Sequence, residues 1–80
     1  MSADEGLETL IERVKARNQL PSPAARRLVR TSAGLSLCDV ARAVGVSRSA
    51  VAHWEAGTRF PREQHLRDYA AVLRALQAAA

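Results

Sequence analysis

Between Ser36 and Gly57 the chain reads SLCDVARAVGVSRSAVAHWEAG, and its second half gathers the side chains best suited to chemistry: Ser47, Arg48, Ser49 and His53 fall within seven residues. No acid interrupts them until Glu55. These groups donate and accept hydrogen bonds, but they lack a relay. Ser36, Ser47 and Ser49 have no acid–base pair beside them that would activate a hydroxyl. Metal chemistry has no better support: His65 belongs to another helix than His53, and the single cysteine, Cys38, has no partner at ligand spacing. The chemistry left to these residues is polar recognition, with no catalysis, no cofactor and no small-molecule ligand.

Recognition of this kind needs a rigid element to hold the side chains in register. Ala41, Gly45 and Val51 stand four and six residues apart, with Val40, Val46 and Trp54 in the apolar positions around them. A small residue is required where two helices cross, a glycine where the chain turns, and a branched apolar residue where the second helix docks on the first. The pattern predicts a helix-turn-helix whose second helix is of the kind that enters the major groove of DNA.

Composition agrees. Eighty residues allow one small core, and with 48% apolar residues but only Trp54, Phe60 and Tyr69 as aromatics, that core suits packed helices. The net charge of +4 and the pI of 10.6 favour a nucleic-acid partner. Residues 1–20 carry four acids against three bases, whereas residues 21–80 carry nine arginines against four acids. This asymmetry divides an N-terminal amphipathic helix (1–20) from a DNA-binding domain (21–80). One cysteine excludes an internal disulfide and fits a reducing cytoplasm. No apolar run reaches the length of a membrane span, and MSADEGLE lacks the basic-then-apolar order of a signal peptide, so a cytoplasmic protein without a membrane partner is expected.

Leu7, Leu10, Ile11 and Val14 recur at helical steps and predict a helix over 4–19, with Asp4 and Glu5 at its start and Arg13, Lys15 and Arg17 towards its end. Ser22 and Pro23 start a second helix, 23–33, with Leu28 and Val29 facing inward and Gly34 at its end. Ser36 caps a third, where Asp39 completes a capping-box-like pair and Gly45 ends the helix. Ser47 caps a fourth, 48–56, ended by Gly57. Pro61 opens a fifth, 61–77, with Leu66, Tyr69, Ala70, Leu73 and Leu76 as its buried stripe. The expected fold is all-α: five helices and no strand.

From Pro23 to Leu76 the chain resembles the Cro/repressor-type (Xre-like, lambda-repressor-like) helix-turn-helix family of bacterial and phage regulators. The resemblance lies in RRLVRTSAGLS, Val40-Ala41, Gly45-Val46-Ser47, Val51, Trp54-Glu55-x-Gly57 and Arg59-x-Pro61. It implies that Arg48, Ser49, Ala52 and His53 face the floor of the major groove, Arg48 reading guanine through O6 and N7. By the same resemblance His53 donates to a guanine or meets a phosphate, and Ala52 offers a methyl. Ser47, Thr58, Arg59 and Arg62 would hold the DNA backbone, with Arg26, Arg27 and Arg42 at its border. Glu55 would pair with Arg30 and tie the recognition helix to the helix before the motif, and Trp54 would belong to the core. Arg67 and Arg74 are expected to be solvated, and Cys38 to be small and partly buried.

The sequence departs from the family at two places. Many members carry a phosphate-anchoring glutamine where this chain has Leu37, which shifts that task to backbone amides or to Arg26, Arg27 or Arg42. The family also commonly continues with a helix beyond the stretch matching Val72–Leu76; helix 4–19 is expected to complete the core in its place or to form a dimer surface. A single module covers only about 600–1,000 Å² on DNA, which favours a homodimer through helix 4–19 or helix 61–77. The expected function is a sequence-specific, non-enzymatic repressor of double-stranded operator DNA. A DNA-binding antitoxin subunit is one alternative. A protein-interaction module on the same scaffold, supported by the apolar Leu37 and Ala52, is the other.

Overall fold

Three serines, each one residue ahead of a helix, set where this fold begins its turns. Ser22 Oγ accepts the Ala25 amide at 3.2 Å, Ser36 Oγ the Asp39 amide at 3.0 Å, and Ser47 Oγ the Ala50 amide at 3.1 Å. Each satisfies an amide that the first turn of a helix cannot pair internally. The computed structural model describes residues 3–18 and 20–79. Among them lie five helices and no strand: α1 (Ala3–Asn18), α2 (Pro23–Ser32), α3 (Leu37–Val44), α4 (Arg48–Ala56) and α5 (Glu63–Ala79). Gln19 and the side chains of Asp4, Glu5 and Arg17, which entered the reading of the first helix, lie outside the described residues.

Two glycines shape the recognition unit. Gly45 turns the chain from α3 to α4 with φ of +84°, a left-handed conformation that side chains with a Cβ disfavour. Gly57 ends α4 with φ of +75°, and a Cβ there would stand 3.3 Å from Pro23 Cγ, so the end of α4 and the start of α2 lie in close contact. The fifth helix starts later than Pro61. That proline is buried, and the first turn is closed by the Arg62 carbonyl, which accepts the His65 amide at 3.0 Å and the Leu66 amide at 3.3 Å.

Val40, Ala41, Val44, Val51, Trp54, Tyr69 and Leu73 form the core, with Leu20, Val29, Leu35, Leu37, Val46, Ala50 and Val72 packed around it. Tyr69 and Trp54 lie with ring centroids 4.8 Å apart at 45°. Among its described residues α1 supplies no member of this cluster: Leu7, Leu10, Ile11 and Val14 are 44–57% exposed. It leans on α5 instead, through exposed ion pairs between Glu12 and Arg67 (3.1 Å) and between Arg13 and Glu63 (3.9 Å). Pairs this exposed contribute little each. The apolar stripe of helix 4–19, expected to complete the core or to form a dimer surface, stays mostly outside this cluster.

Three further expectations need correction. Leu28 faces solvent at 65% exposure, because the inner face of α2 is formed by Arg26, Val29 and Arg30 at helical steps, and Leu28 stands across the helix from Arg26. Leu76 is only half-buried near the end of α5, and Cys38 is exposed in the first turn of α3.

Tyr69 is fully buried, yet its hydroxyl has no hydrogen-bond partner among the described residues. Burial foremost, reinforced by the Glu55 charge, pushes the phenol up to about 12, so it stays neutral. A buried polar group without a partner costs about 1–3 kcal/mol. Tyr69→Phe is accordingly expected to be neutral to about 2 kcal/mol more stable in urea unfolding; a loss of stability would show that the hydroxyl has a partner.

Candidate nucleic-acid interface

The face that α4 turns away from the core is set by the residues that hold its other face. Trp54 and Val51 point into the core, and Glu55 turns towards α2. There Arg30 grips the carboxylate with both arms of the guanidinium: Nε donates to Oε2 at 2.6 Å and Nη2 to Oε1 at 2.9 Å. Nη1 donates to the Leu35 carbonyl at 2.9 Å. The side chains are 11% and 7% exposed, and the bond to Glu55 above all raises the Arg30 pKa. This two-pronged geometry fixes orientation as well as distance.

Arg26 holds the same helix from behind. Its Nε donates to the Pro21 carbonyl at 2.8 Å and its Nη1 to the Trp54 carbonyl at 3.0 Å, with the guanidinium 5.7 Å over the Phe60 ring. The Trp54 carbonyl belongs to the last turn of α4, where no amide follows in the helix to pair it. The residue is 7% exposed, and burial lowers its pKa. Arg26 is thus neither a solvated charge nor a border contact to phosphate; it caps the C-terminus of α4. Sequence reasoning missed this role, since both its partners are backbone carbonyls and no side-chain type marks them.

With α4 held in this way, Ser47, Arg48 and Ser49 are exposed at its start, Ala52 and His53 are half-buried along it, and Thr58 and Arg59 are exposed just beyond Gly57. Arg62, Arg42 and Arg27 are exposed on the neighbouring elements. Thr58 folds back on the helix, its Oγ1 lying 2.8 Å from His53 Nδ1, a pairing that neither residue's position in the motif had indicated.

The start of α3 differs from the expected anchor. Ser36 and Asp39 form a reciprocal capping box, the Ser36 amide donating to Asp39 Oδ2 at 2.8 Å. The amides of Ser36 and Asp39 are engaged there, and the Asp39 carboxylate places a negative charge at the helix N-terminus. Leu37 is half-buried against the core. Of the groups expected to replace a glutamine at Leu37, Arg27 and Arg42 are the exposed cations.

The Ser36 amide, then its hydroxyl and the Arg42 charge, hold the Asp39 carboxyl below its ordinary value. A depressed folded-state pKa stabilises the fold above the unfolded value, near pH 4, and that contribution is lost as pH falls through the lowered value. Asp39→Asn is therefore expected to lower the melting temperature at neutral pH, with the gap to the parent closing as pH falls below the ordinary carboxylate range. Melting curves with no gap at neutral pH, or an unchanged gap in acid, would count against the capping box.

Among the described residues no group of three or more His, Cys, Asp or Glu side chains is placed to hold a metal ion. Among the same residues no helix is long and apolar enough to cross a membrane.

A short helix crossing a second across a glycine turn, its polar face outward and its acid clamped behind, defines a helix-turn-helix domain, the fold of DNA-binding regulators. The family model described as "Helix-turn-helix domain" matches residues 24–80, and the chain belongs to that family. The match is consistent with the resemblance to Cro/repressor-type regulators. No curated protein and no solved structure matches the chain.

Proposed function

We propose that this protein is a sequence-specific regulator of transcription, a repressor of the phage repressor/Cro type, that places α4 in the major groove of double-stranded operator DNA. The observation that carries the reading is the outward face of α4. Arg48 and Ser49 stand free at its first turn, and the helix's only acid, Glu55, is turned the other way into its pair with Arg30. Arg48 reads a guanine edge, Ser49, Ala52 and His53 line the groove floor, and Ser47, Thr58, Arg59, Arg62, Arg42 and Arg27 hold the backbone.

The exposed apolar stripe of α1 supports a homodimer, which brings two α4 helices to half-sites one helical turn apart. Such a protein has no enzymatic activity and works in the cytoplasm. Leu37, a main support for a protein-interaction module, is accounted for by its packing on the core.

Selection of the full chain against a random duplex library tests the reading. Enrichment of a two-fold symmetric site is expected. Recovery of unrelated sequences at low salt would overturn it, and a monomer in sedimentation both free and on DNA would remove the dimer.

A further inference from the structure

Thr58, just past the end of α4, is hydrogen-bonded to His53. Oγ1 of Thr58 lies 2.8 Å from His53 Nδ1 and 3.3 Å from the His53 carbonyl. That carbonyl already accepts the amides of Gly57 and Thr58, the latter at 3.1 Å, and 3.3 Å is long for a hydroxyl bond. The short contact to the ring is the one that holds the pair. A neutral imidazole has a single N–H, and whichever partner supplies the hydrogen between Nδ1 and Oγ1 decides what the rest of the ring can offer.

We infer, resting on the DNA-binding reading above, that Thr58 sets the tautomer of His53 and that His53 reads its base through Nε2 as an acceptor. In that reading the Thr58 hydroxyl meets a phosphate. An anionic phosphate oxygen claims the O–H, because a charge-assisted bond is roughly twice as strong as a neutral one. Oγ1 is then left to accept, and Nδ1–H donates to it. The lone pair of Nε2 remains for the base. An acceptor at that place in the major groove selects an exocyclic amino group, N6 of adenine or N4 of cytosine, over the O6 and N7 of guanine. This differs from both roles that the family resemblance implies for His53, a donor to guanine or a contact to phosphate. It also links a backbone contact to a base contact, since a phosphate that takes the Thr58 hydroxyl leaves Oγ1 to accept from Nδ1–H and so fixes the tautomer.

The test begins with the duplex that library selection enriches and with the base pair to which His53→Ala becomes indifferent. Removing the exocyclic amino group of that pair (purine for adenine, pyrimidinone for cytosine) is expected to weaken binding of the parent chain about fivefold, the size of one neutral hydrogen bond. His53→Ala should not respond to the change. Thr58→Ser should retain the fivefold discrimination and Thr58→Val should lose it. In the complex, long-range nitrogen–proton NMR correlations of the ring should report the Nδ1–H tautomer. An Nε2–H tautomer, sensitivity to loss of the purine N7 instead of the amino group, or full discrimination in Thr58→Val would each overturn the inference while leaving DNA binding standing. Failure of selection to enrich any duplex would overturn both.

Discussion

Glu55→Ala should lower the melting temperature by about 15–30 °C, or leave no cooperative transition at all. Removing one partner of a buried ion pair costs about 3–5 kcal/mol, because the other charge stays behind without its counterpart. In a domain of this size each kcal/mol shifts the midpoint by about 4–8 °C. The surviving Arg30 would be held at 11% exposure with two of its nitrogens directed at nothing. The loss falls where α2 meets the last turn of α4, so whatever fold remains would also present α4 at a looser angle. Glu55→Gln keeps the shape and an acceptor and should land between the parent and the alanine variant. Replacing both members together, as Arg30→Met with Glu55→Leu, should recover much of the loss, since a buried pair contributes little over well-packed apolar residues. Circular dichroism melting of the four proteins decides the matter. An alanine variant melting within about 5 °C of the parent would mean that the pair does not fasten the helices.

Arg48→Ala should remove discrimination at one base pair of the selected site without abolishing DNA binding. A bidentate arginine–guanine contact separates the right base from a wrong one by about 1–3 kcal/mol, or about 5–150-fold. The variant should therefore bind the selected duplex and its mutant at that position equally, while its salt dependence changes little. Arg59→Ala should behave in the opposite way, weakening all duplexes alike and reducing the salt slope by about one, as a phosphate contact does. A titration in which Arg48→Ala keeps the parent's preference would place base reading elsewhere on α4.

The residues that set local geometry were legible because their effects act over three or four positions. Ser22, Ser36 and Ser47 cap the amide three residues ahead, and Gly45 turns the chain where α3 must meet α4. Long-range partners were legible only where the family resemblance supplied them, as with Arg30 and Glu55, twenty-five residues apart. The inner face of α2 was misread because Arg26 and Arg30 occupy it. Apolar patterning favours Leu28, whereas two guanidinium groups that satisfy carbonyls and a carboxylate are buried more readily than their charge suggests. The apolar stripe of α1 was read correctly as a stripe, but periodicity cannot say what covers it, and in the single chain most of it stays exposed. The His53–Thr58 contact spans the end of a helix and follows from the turn that Gly57 imposes, which no residue type announces by itself.

The central claim is that α4 is the surface that meets DNA, and amide chemical-shift mapping tests it most directly. Titrating the labelled full chain with the selected duplex should move the amides of Ser47, Arg48, Ser49, Ala52 and His53, together with those of Thr58 and Arg59. Shifts confined to α1 or to the end of α5, or no shift with any duplex at low salt, would contradict the account.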